Sequence, residues 1–299
     1  MSQDNLTGRT IAGYTLLSHV GEGGTAAVYK AQHPDRGVAA VKILRPRLSQ
    51  DPVAVKRFLR EAEFGARVNH PNIVQTWDYG EVEGHHFLAL EWAAGEALAD
   101  FMTGAGRLAA TLVARIIGQL ADALEVAHKA GIIHRDLKPA NIMYDPETQT
   151  ARLLDFGIAR DADDEPAERL TRAGFFVGTL QFVAPEALSG ELVGEQADLY
   201  SLATIAYNLL TETLPFPGNS PREMFQQLLT QEPTPLNQAV KGVKFSAELE
   251  AALMKGLERD RAKRWKNVRQ FADAFCAAAN DEKPKKEGFF SNLFRRGEG

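Results

Sequence analysis

The 299-residue sequence has a single cysteine, Cys276. That excludes an internal disulfide and fits a reducing compartment, with the thiol read as a buried structural group. No apolar run approaches the roughly 20 residues that a helix needs to cross a bilayer. Met1 to Thr10 is polar and lacks the apolar centre of a secretory leader, so a soluble, cytoplasmic protein is expected. Positive charge is not in excess: 34 Lys and Arg against 39 Asp and Glu leave a net charge of −5. A global basic surface is therefore absent, and nucleic acid is not an expected partner. Internal repeats are also missing. What is present is 44% hydrophobic residues, enough at this length for one large domain or two lobes with real cores.

Chemistry is densest between Gly131 and Asn141, where Asp136, Lys138 and Asn141 place a carboxylate, an ammonium and an amide within six residues. Ile132 and Ile133 read as a short buried strand, and Pro139 argues against helix, so the three polar groups would project from a rigid turn. A surface loop with scattered charges is the bland alternative.

Ahead of it, Tyr14 to Val20 is strand-like and leads into Gly21-Glu22-Gly23-Gly24-Thr25-Ala26-Ala27-Val28, a glycine-rich turn that re-enters strand. Glycines let backbone N–H groups approach an anion, but alone such a turn is more often an ordinary hairpin. Because a strand and not a helix follows, dinucleotide and P-loop sites are disfavoured. Val38 to Leu44 is an apolar strand interrupted by Lys42, which points to solvent or meets a partner. Asp51-Pro52 reads as a helix N-cap and first turn, and Phe58, Ala62 and Gly65 mark one helix face with Glu61 beside it, within reach of Lys42. Strands are expected at Ile73 to Tyr79 and His86 to Trp92 around the turn Glu83-Gly84.

After Gly95 the period changes. Ile116, Leu120, Leu124 and His128 recur every four residues up to a stop at Gly131. Ala151 to Leu154 is a short apolar strand ending at Asp155-Phe156-Gly157, which could bring Asp155 beside Asn141 as a Mg²⁺ ligand pair. Residues 160–172 are acidic and polar and read as a mobile loop. Helices follow at Ala197 to Leu210, with Asp198 in the first turn, at Pro221 to about Gln231 after the cap Ser220, at Leu249 to Leu257 and at Val268 to Phe275. From Asp281 the composition becomes that of a linker, ending in Phe289-Phe290-Ser291-Asn292-Leu293-Phe294-Arg295-Arg296, a segment that reads as a disordered tail or one packed back on the domain, with weak docking on a membrane or a partner groove as the alternative.

In this order, glycine loop, strand lysine, helix glutamate, His134-Arg135-Asp136-Leu137-Lys138-Pro139-Ala140-Asn141, Asp155-Phe156-Gly157 and Ala184-Pro185-Glu186 resemble the eukaryotic-like (Hanks-type) Ser/Thr protein kinases of bacteria, over about residues 11–279. The resemblance implies an α+β, two-lobed fold: a β-rich N-lobe at about 11–92 with one main helix, and a helical C-lobe at about 95–279. Residues 1–10 and 280–299 would be an extension and a tail. It implies ATP and Mg²⁺, with Mn²⁺ as a substitute, and protein substrates.

By the same resemblance, Gly21 and Gly23 cover the phosphates, Lys42 holds them, and Glu61 pairs with Lys42 when the helix is swung in. Val20, Val28, Ala40 and Met143 would sandwich the adenine, Leu90 would be the gatekeeper, and the backbone of Glu91 and Ala93 the hinge. Asp136 would take the proton of the substrate hydroxyl, Lys138 steady the phosphate, and Asn141 and Asp155 hold Mg²⁺. Thr179 would bond the catalytic loop, Glu186 and Arg264 form a buried ion pair, and Asp198 brace the loop at His134 and Arg135. Thr171 is the candidate activating phosphothreonine, with Arg135 in its receiving pocket.

Departures from the pattern are Ala26 in place of the third glycine, Ala39 before the strand lysine, Ala173 where a second threonine is common, and Gly65 where a bulkier residue is usual. Gly65 predicts weaker packing and an inward helix in need of outside support, such as a homodimer through the N-lobe. The competing functional class is a nucleotide-binding pseudokinase scaffold.

Overall fold

A computed structural model describes residues 5–154, 181–188, 193–218 and 220–282. In the smaller lobe six strands, β1 (Thr10–Ile11), β2 (Tyr14–Glu22), β3 (Ala26–His33), β4 (Gly37–Leu44), β5 (Thr76–Val82) and β6 (His85–Glu91), form one antiparallel sheet in the order β1-β2-β3-β4-β6-β5. Strand alternation assigns the faces. Along β4, Ala39, Val41 and Ile43 enter a core with Tyr14, Leu16, Tyr29 and Phe87. Ala40 and Lys42 are thereby turned to the opposite face, where Ala40 packs near Leu88 and Leu90. The β5–β6 hairpin closes through Glu83 and Gly84, both at positive φ (50° and 79°), as a two-residue turn of the primed type demands.

Helix α1 (Pro52–Arg67) starts where the sequence places it: the Asp51 carboxylate accepts from Val53 N at 2.9 Å, and Pro52 occupies the first turn. Its buried face is Phe58, Ala62 and Gly65. The expected weak packing at Gly65 is corrected by the structure. A Cβ built there would lie 2.5 Å from Thr76 Oγ1, so the missing side chain brings α1 tightly against β5.

The strand expected from Ile73 starts at Thr76 and runs on to Val82. Ile73 instead makes a single parallel bridge to Leu153, because Asn72 to Val74 is stitched to the second lobe: Leu153 N donates to Asn72 O at 2.8 Å and Val74 N to Leu153 O at 2.9 Å.

The larger lobe is built on α3 (Ala110–Lys129) and α5 (Glu195–Thr211), after α2 (Leu98–Ala105) and α4 (Pro185–Leu188). Four more helices close it: α6 (Pro221–Thr230), α7 (Leu236–Ala239), α8 (Ala247–Gly256) and α9 (Val268–Asn280). Val113, Ile116, Ile117, Leu120 and Leu124 of α3 bury against α5 and α9, and α5 is buried nearly all round, which explains its uniformly apolar sequence. Cys276 Sγ lies 3.1 Å from Ala114 O, and burial pushes its thiol up to about 11, consistent with a structural role. A small sheet, β7 (Glu96–Ala97), β8 (Ile142–Asp145) and β9 (Thr150–Leu153), faces the first lobe. The short elements α2, α4, α7 and β7 carry too few residues for a periodic signal.

Ile132 and Ile133 form no strand; Ile132 is buried in the large-lobe core, while the backbone runs without ladder partners. Pro139 does not exclude helical backbone either. It opens a single 3-10 turn, Pro139–Asn141, at the position where its missing N–H costs nothing. Among the described residues no helix is long and apolar enough to cross a membrane.

The α1–β5 contact gives a direct test. Gly65→Ala should destabilise the protein by about 1–3 kcal/mol through overpacking, and Thr76→Ala in the same chain should recover most of it. Urea denaturation of wild type and both variants checks this; equal stability of Gly65→Ala and wild type would refute the close approach.

Candidate active site

The residues singled out above that the structure describes fall into two groups, one on the small lobe around Lys42 and one on the loop Gly131 to Asn141. Lys42, on the inner face of β4, extends toward α1, and its Nζ lies 3.3 Å from Glu61 Oε1. Both side chains are mostly buried, at 16% and 19% exposure, so the attraction is less screened than at a surface. The arrangement is the swung-in one.

Gly21 and Glu22 remain inside β2, paired with Val28 and Ala27, so the turn itself is only Gly23 to Thr25. Neither Gly21, Gly23 nor Gly24 has a positive φ, and a Cβ at any of them meets nothing closer than 3.6 Å. Among the described residues, neither packing nor backbone conformation requires glycine there. Arg45 fixes this turn, donating to Gly23 O from Nε and Nη2 at 3.1 and 2.8 Å and to Glu22 Oε2 at 3.0 Å.

Beneath it, Ala40, Leu90, Ala93 and Met143 belong to one apolar cluster, with Ala40 directly opposite Leu90 in the β4–β6 register. Leu90 and Ala93 are buried, Val28 and Met143 half-buried, and Val20 is 54% exposed. These residues could form an apolar slot for a flat ring.

The loop Gly131 to Asn141 gathers its three polar groups. Lys138 Nζ lies 2.9 Å from Asp136 Oδ2, and Asn141 Nδ2 donates to Asp136 Oδ2 at 3.0 Å and to Asp136 O at 2.8 Å. The amide is therefore oriented: its nitrogen is spent on Asp136, while Oδ1 accepts no hydrogen bond among the described residues. Such a carbonyl-type oxygen suits a hard divalent cation, so this half of the expected metal pair fits. Leu154 N donates to Asn141 O at 2.9 Å, joining the end of the β9 segment to the loop. Asp155, Thr171 and Thr179 lie outside the described residues, as do residues 160–172 and the tail 283–299.

The loop is held from below by Asp198, in the first turn of α5. Oδ2 accepts from His134 N and Oδ1 from Arg135 N, at 2.8 and 2.9 Å, and His128 Nε2 lies 2.8 Å from Oδ2. An ionised carboxylate only accepts, so Nε2 carries the proton. Burial alone would raise the Asp198 carboxyl. The hydrogen bond and charge of His128, with His134, hold it below the usual carboxylate range. To present both N–H groups to one carboxylate, Arg135 adopts a left-handed backbone, φ 63°, a strained choice for a side-chain-bearing residue. The platform behind the loop is locked by Arg264, which donates from Nη1 and Nη2 to Glu186 Oε1 and Oε2 at 2.7 and 2.8 Å, and also to Gln196 O and Glu258 O.

One group escapes sequence reasoning. Arg152 of β9 forks onto the carboxylate of Glu91, at 2.8 and 2.6 Å, and reaches Ile73 O at 3.3 Å. These hydrogen bonds hold the Glu91 carboxyl below its ordinary range, outweighing burial. The neighbouring Trp92 ring is capped by Lys30, whose Nζ lies 4.8 Å from the centroid. Strand alternation alone gives Arg152 no partner.

Comparison with known proteins is consistent with this geometry. Residues 14–276 match the family model described as protein kinase domain. The chain is 38% identical over 270 residues to serine/threonine-protein kinase pkn3 of Myxococcus xanthus, covering 87% of this chain and 49% of that protein. It is 34% identical over 280 residues to PknB of Mycobacterium tuberculosis, covering 91% and 44%. The chain thus spans about half the length of these curated relatives. Among solved structures, the Mycobacterium tuberculosis PknI kinase domain superposes with a TM-score of 0.70 at 30% identity, over 91% of this chain and 98% of that one.

Asp198 supplies a pH-dependent test. With its folded-state pKa depressed, its contribution is fully present above the unfolded value near 4 and is lost as pH falls through the folded value. Asp198→Asn should lose about 3 kcal/mol at neutral pH, and the gap to wild type should narrow as pH drops below about 4. Denaturant titrations over that range check it; a pH-independent gap would refute the assignment.

Proposed function

The chain belongs to the protein kinase domain family, and from that premise we propose that it is a serine/threonine protein kinase that transfers the γ-phosphoryl group of ATP to protein hydroxyls. The observation that carries the reading is the convergence of Lys138 and Asn141 on Asp136 within one loop, in a chain whose strand lysine Lys42 is engaged with the helix glutamate Glu61. Phosphoryl transfer asks for positioning and charge neutralisation more than covalent chemistry, and these are the groups it needs.

In this proposal the apolar slot of Ala40, Leu90, Ala93 and Met143, roofed by Val20 and Val28, takes the adenine, and the backbone of Glu91 and Ala93 its hydrogen-bonding edge. Gly21 and Gly23 let the backbone lie over the phosphates, and Lys42, kept in place by Glu61, binds them. Asp136 orients the incoming hydroxyl and takes its proton, while Lys138 balances charge on the transferring group. The family implies ATP and a divalent metal; we assign Mg²⁺, held by Asn141 and Asp155, which when bound neutralises phosphate charge. Thr171, received in part by Arg135, and Thr179 are assigned regulatory roles, and the protein is placed in the cytoplasm. The presence of Lys42, Asp136, Asn141 and Asp155 in the sequence argues against a pseudokinase scaffold.

Purified protein incubated with ATP and Mg²⁺ should incorporate phosphate into itself or a generic protein substrate, and Asp136→Asn should lower the rate by at least about 100-fold. Equal incorporation by the two would overturn the reading. Phosphosite mapping then addresses Thr171: after phosphatase and ATP pretreatment, Thr171→Ala should stay at basal activity where wild type rises. A variant that activates as fully as wild type removes Thr171 as the switch.

A further inference from the structure

We propose that Arg152 and Glu91 form an interlobe clamp that positions the nucleotide-binding hinge, an inference that rests on the kinase reading. The two residues are 61 positions apart and lie on different lobes, Glu91 at the end of β6 and Arg152 on β9. Their contact is a two-point fork, the geometry in which a guanidinium is most specific and least replaceable by lysine. It is also sheltered, with side-chain exposures of 19% and 31%, so it is more than a loose surface pair.

Neighbouring contacts make it the centre of a knot. Gln75 N donates to Glu91 Oε2 at 3.4 Å and Glu91 N to Gln75 O at 2.9 Å, tying the hinge to the segment that follows α1. The same guanidinium reaches Ile73 O, and Asn72 Nδ2 donates to Ala151 O at 2.8 Å. Residues 72–75, the hinge and β9 are therefore joined in one hydrogen-bonded network. The lowered carboxyl pKa of Glu91 agrees with an ion pair that persists throughout the neutral range.

Two consequences follow for the proposed site. The Glu91 side chain is drawn to Arg152 and the Trp92 ring is covered by Lys30, so consecutive hinge side chains are each tethered, one to either lobe. The hinge backbone between them is thereby held in one orientation toward the adenine slot. Arg152 also stands three residues before Asp155 in the sequence, so one contact joins the element assigned to adenine and the strand leading to the assigned metal ligand. Arg152 is a positioning residue; it acts on the nucleotide through Glu91.

The test compares wild type, Arg152→Gln, Arg152→Lys, Glu91→Gln and the double Gln variant in the full chain, measuring KM for ATP, kcat, and the Kd of a fluorescent ATP analogue. The expected result is a rise of at least about fivefold in KM and Kd for each Gln variant, with a smaller change in kcat. Arg152→Lys should fall between, and the double variant should be no worse than the worse single one, because both remove the same contact. Unchanged KM and Kd alongside a lowered melting temperature would show a purely structural pair and overturn the clamp, as would additive effects in the double variant. Wild type that fails to bind the analogue or turn over ATP defeats the kinase reading itself, whereas wild type that does both while the variants match it defeats only the clamp.

Discussion

A single buried carboxylate, Asp198, shapes the loop on which the proposed chemistry depends. Left without partners, a charge with 1% exposure would cost several kcal/mol. Its two oxygens are satisfied only if His134 and Arg135 turn both backbone N–H groups toward α5 and His128 reaches across from α3. The strain at Arg135 is the counterpart of that demand. Once these residues are held, Asp136 has little freedom in where it can point, and Lys138 and Asn141 converge on it from the following turn. The apolar packing of α3 against α5 thus becomes the placement of a carboxylate in a cleft.

Charge is buried repeatedly in this protein, and the buried groups are paired with opposite charges or backbone carbonyls. Arg264 has no side-chain exposure and spends its donors on Glu186 and on backbone carbonyls from separate segments. Lys42 and Glu61 share a half-dry space between sheet and helix. Such pairs contribute less to net stability than their Coulomb attraction suggests, because desolvation opposes it. Their effect is to specify geometry: each ion pair is satisfied in only one arrangement of the elements that carry it.

Glycine plays two opposite parts. At Gly65 the absent side chain is an internal packing requirement, filled by Thr76. At Gly21, Gly23 and Gly24 none of the described residues occupies the space a Cβ would take, and none of the three glycines has a left-handed backbone. The first kind concerns how helix α1 sits on the sheet. The second kind has no packing or backbone reason among the described residues, which is compatible with the proposed phosphate-binding role.

Wherever the determining contacts are local, the amino-acid sequence was sufficient. The Asp51-Pro52 start of α1, the Glu83-Gly84 turn, the buried face of α3 and the Ser220 cap all follow from residues within one turn of each other, and the order of motifs was enough to imply the two-lobed α+β fold. Even the approach of Lys42 to Glu61 could be anticipated, since strand alternation and helix periodicity orient both side chains. Tertiary structure decided the remainder. Ile73 was lost from its strand because β9 competes for its backbone, and Gly65 proved tight because of Thr76 on a neighbouring strand. Arg152 found Glu91 across the cleft between the lobes. In each case the partner is distant in the chain, and no short-range pattern of hydrophobicity or charge encodes which two surfaces folding will press together.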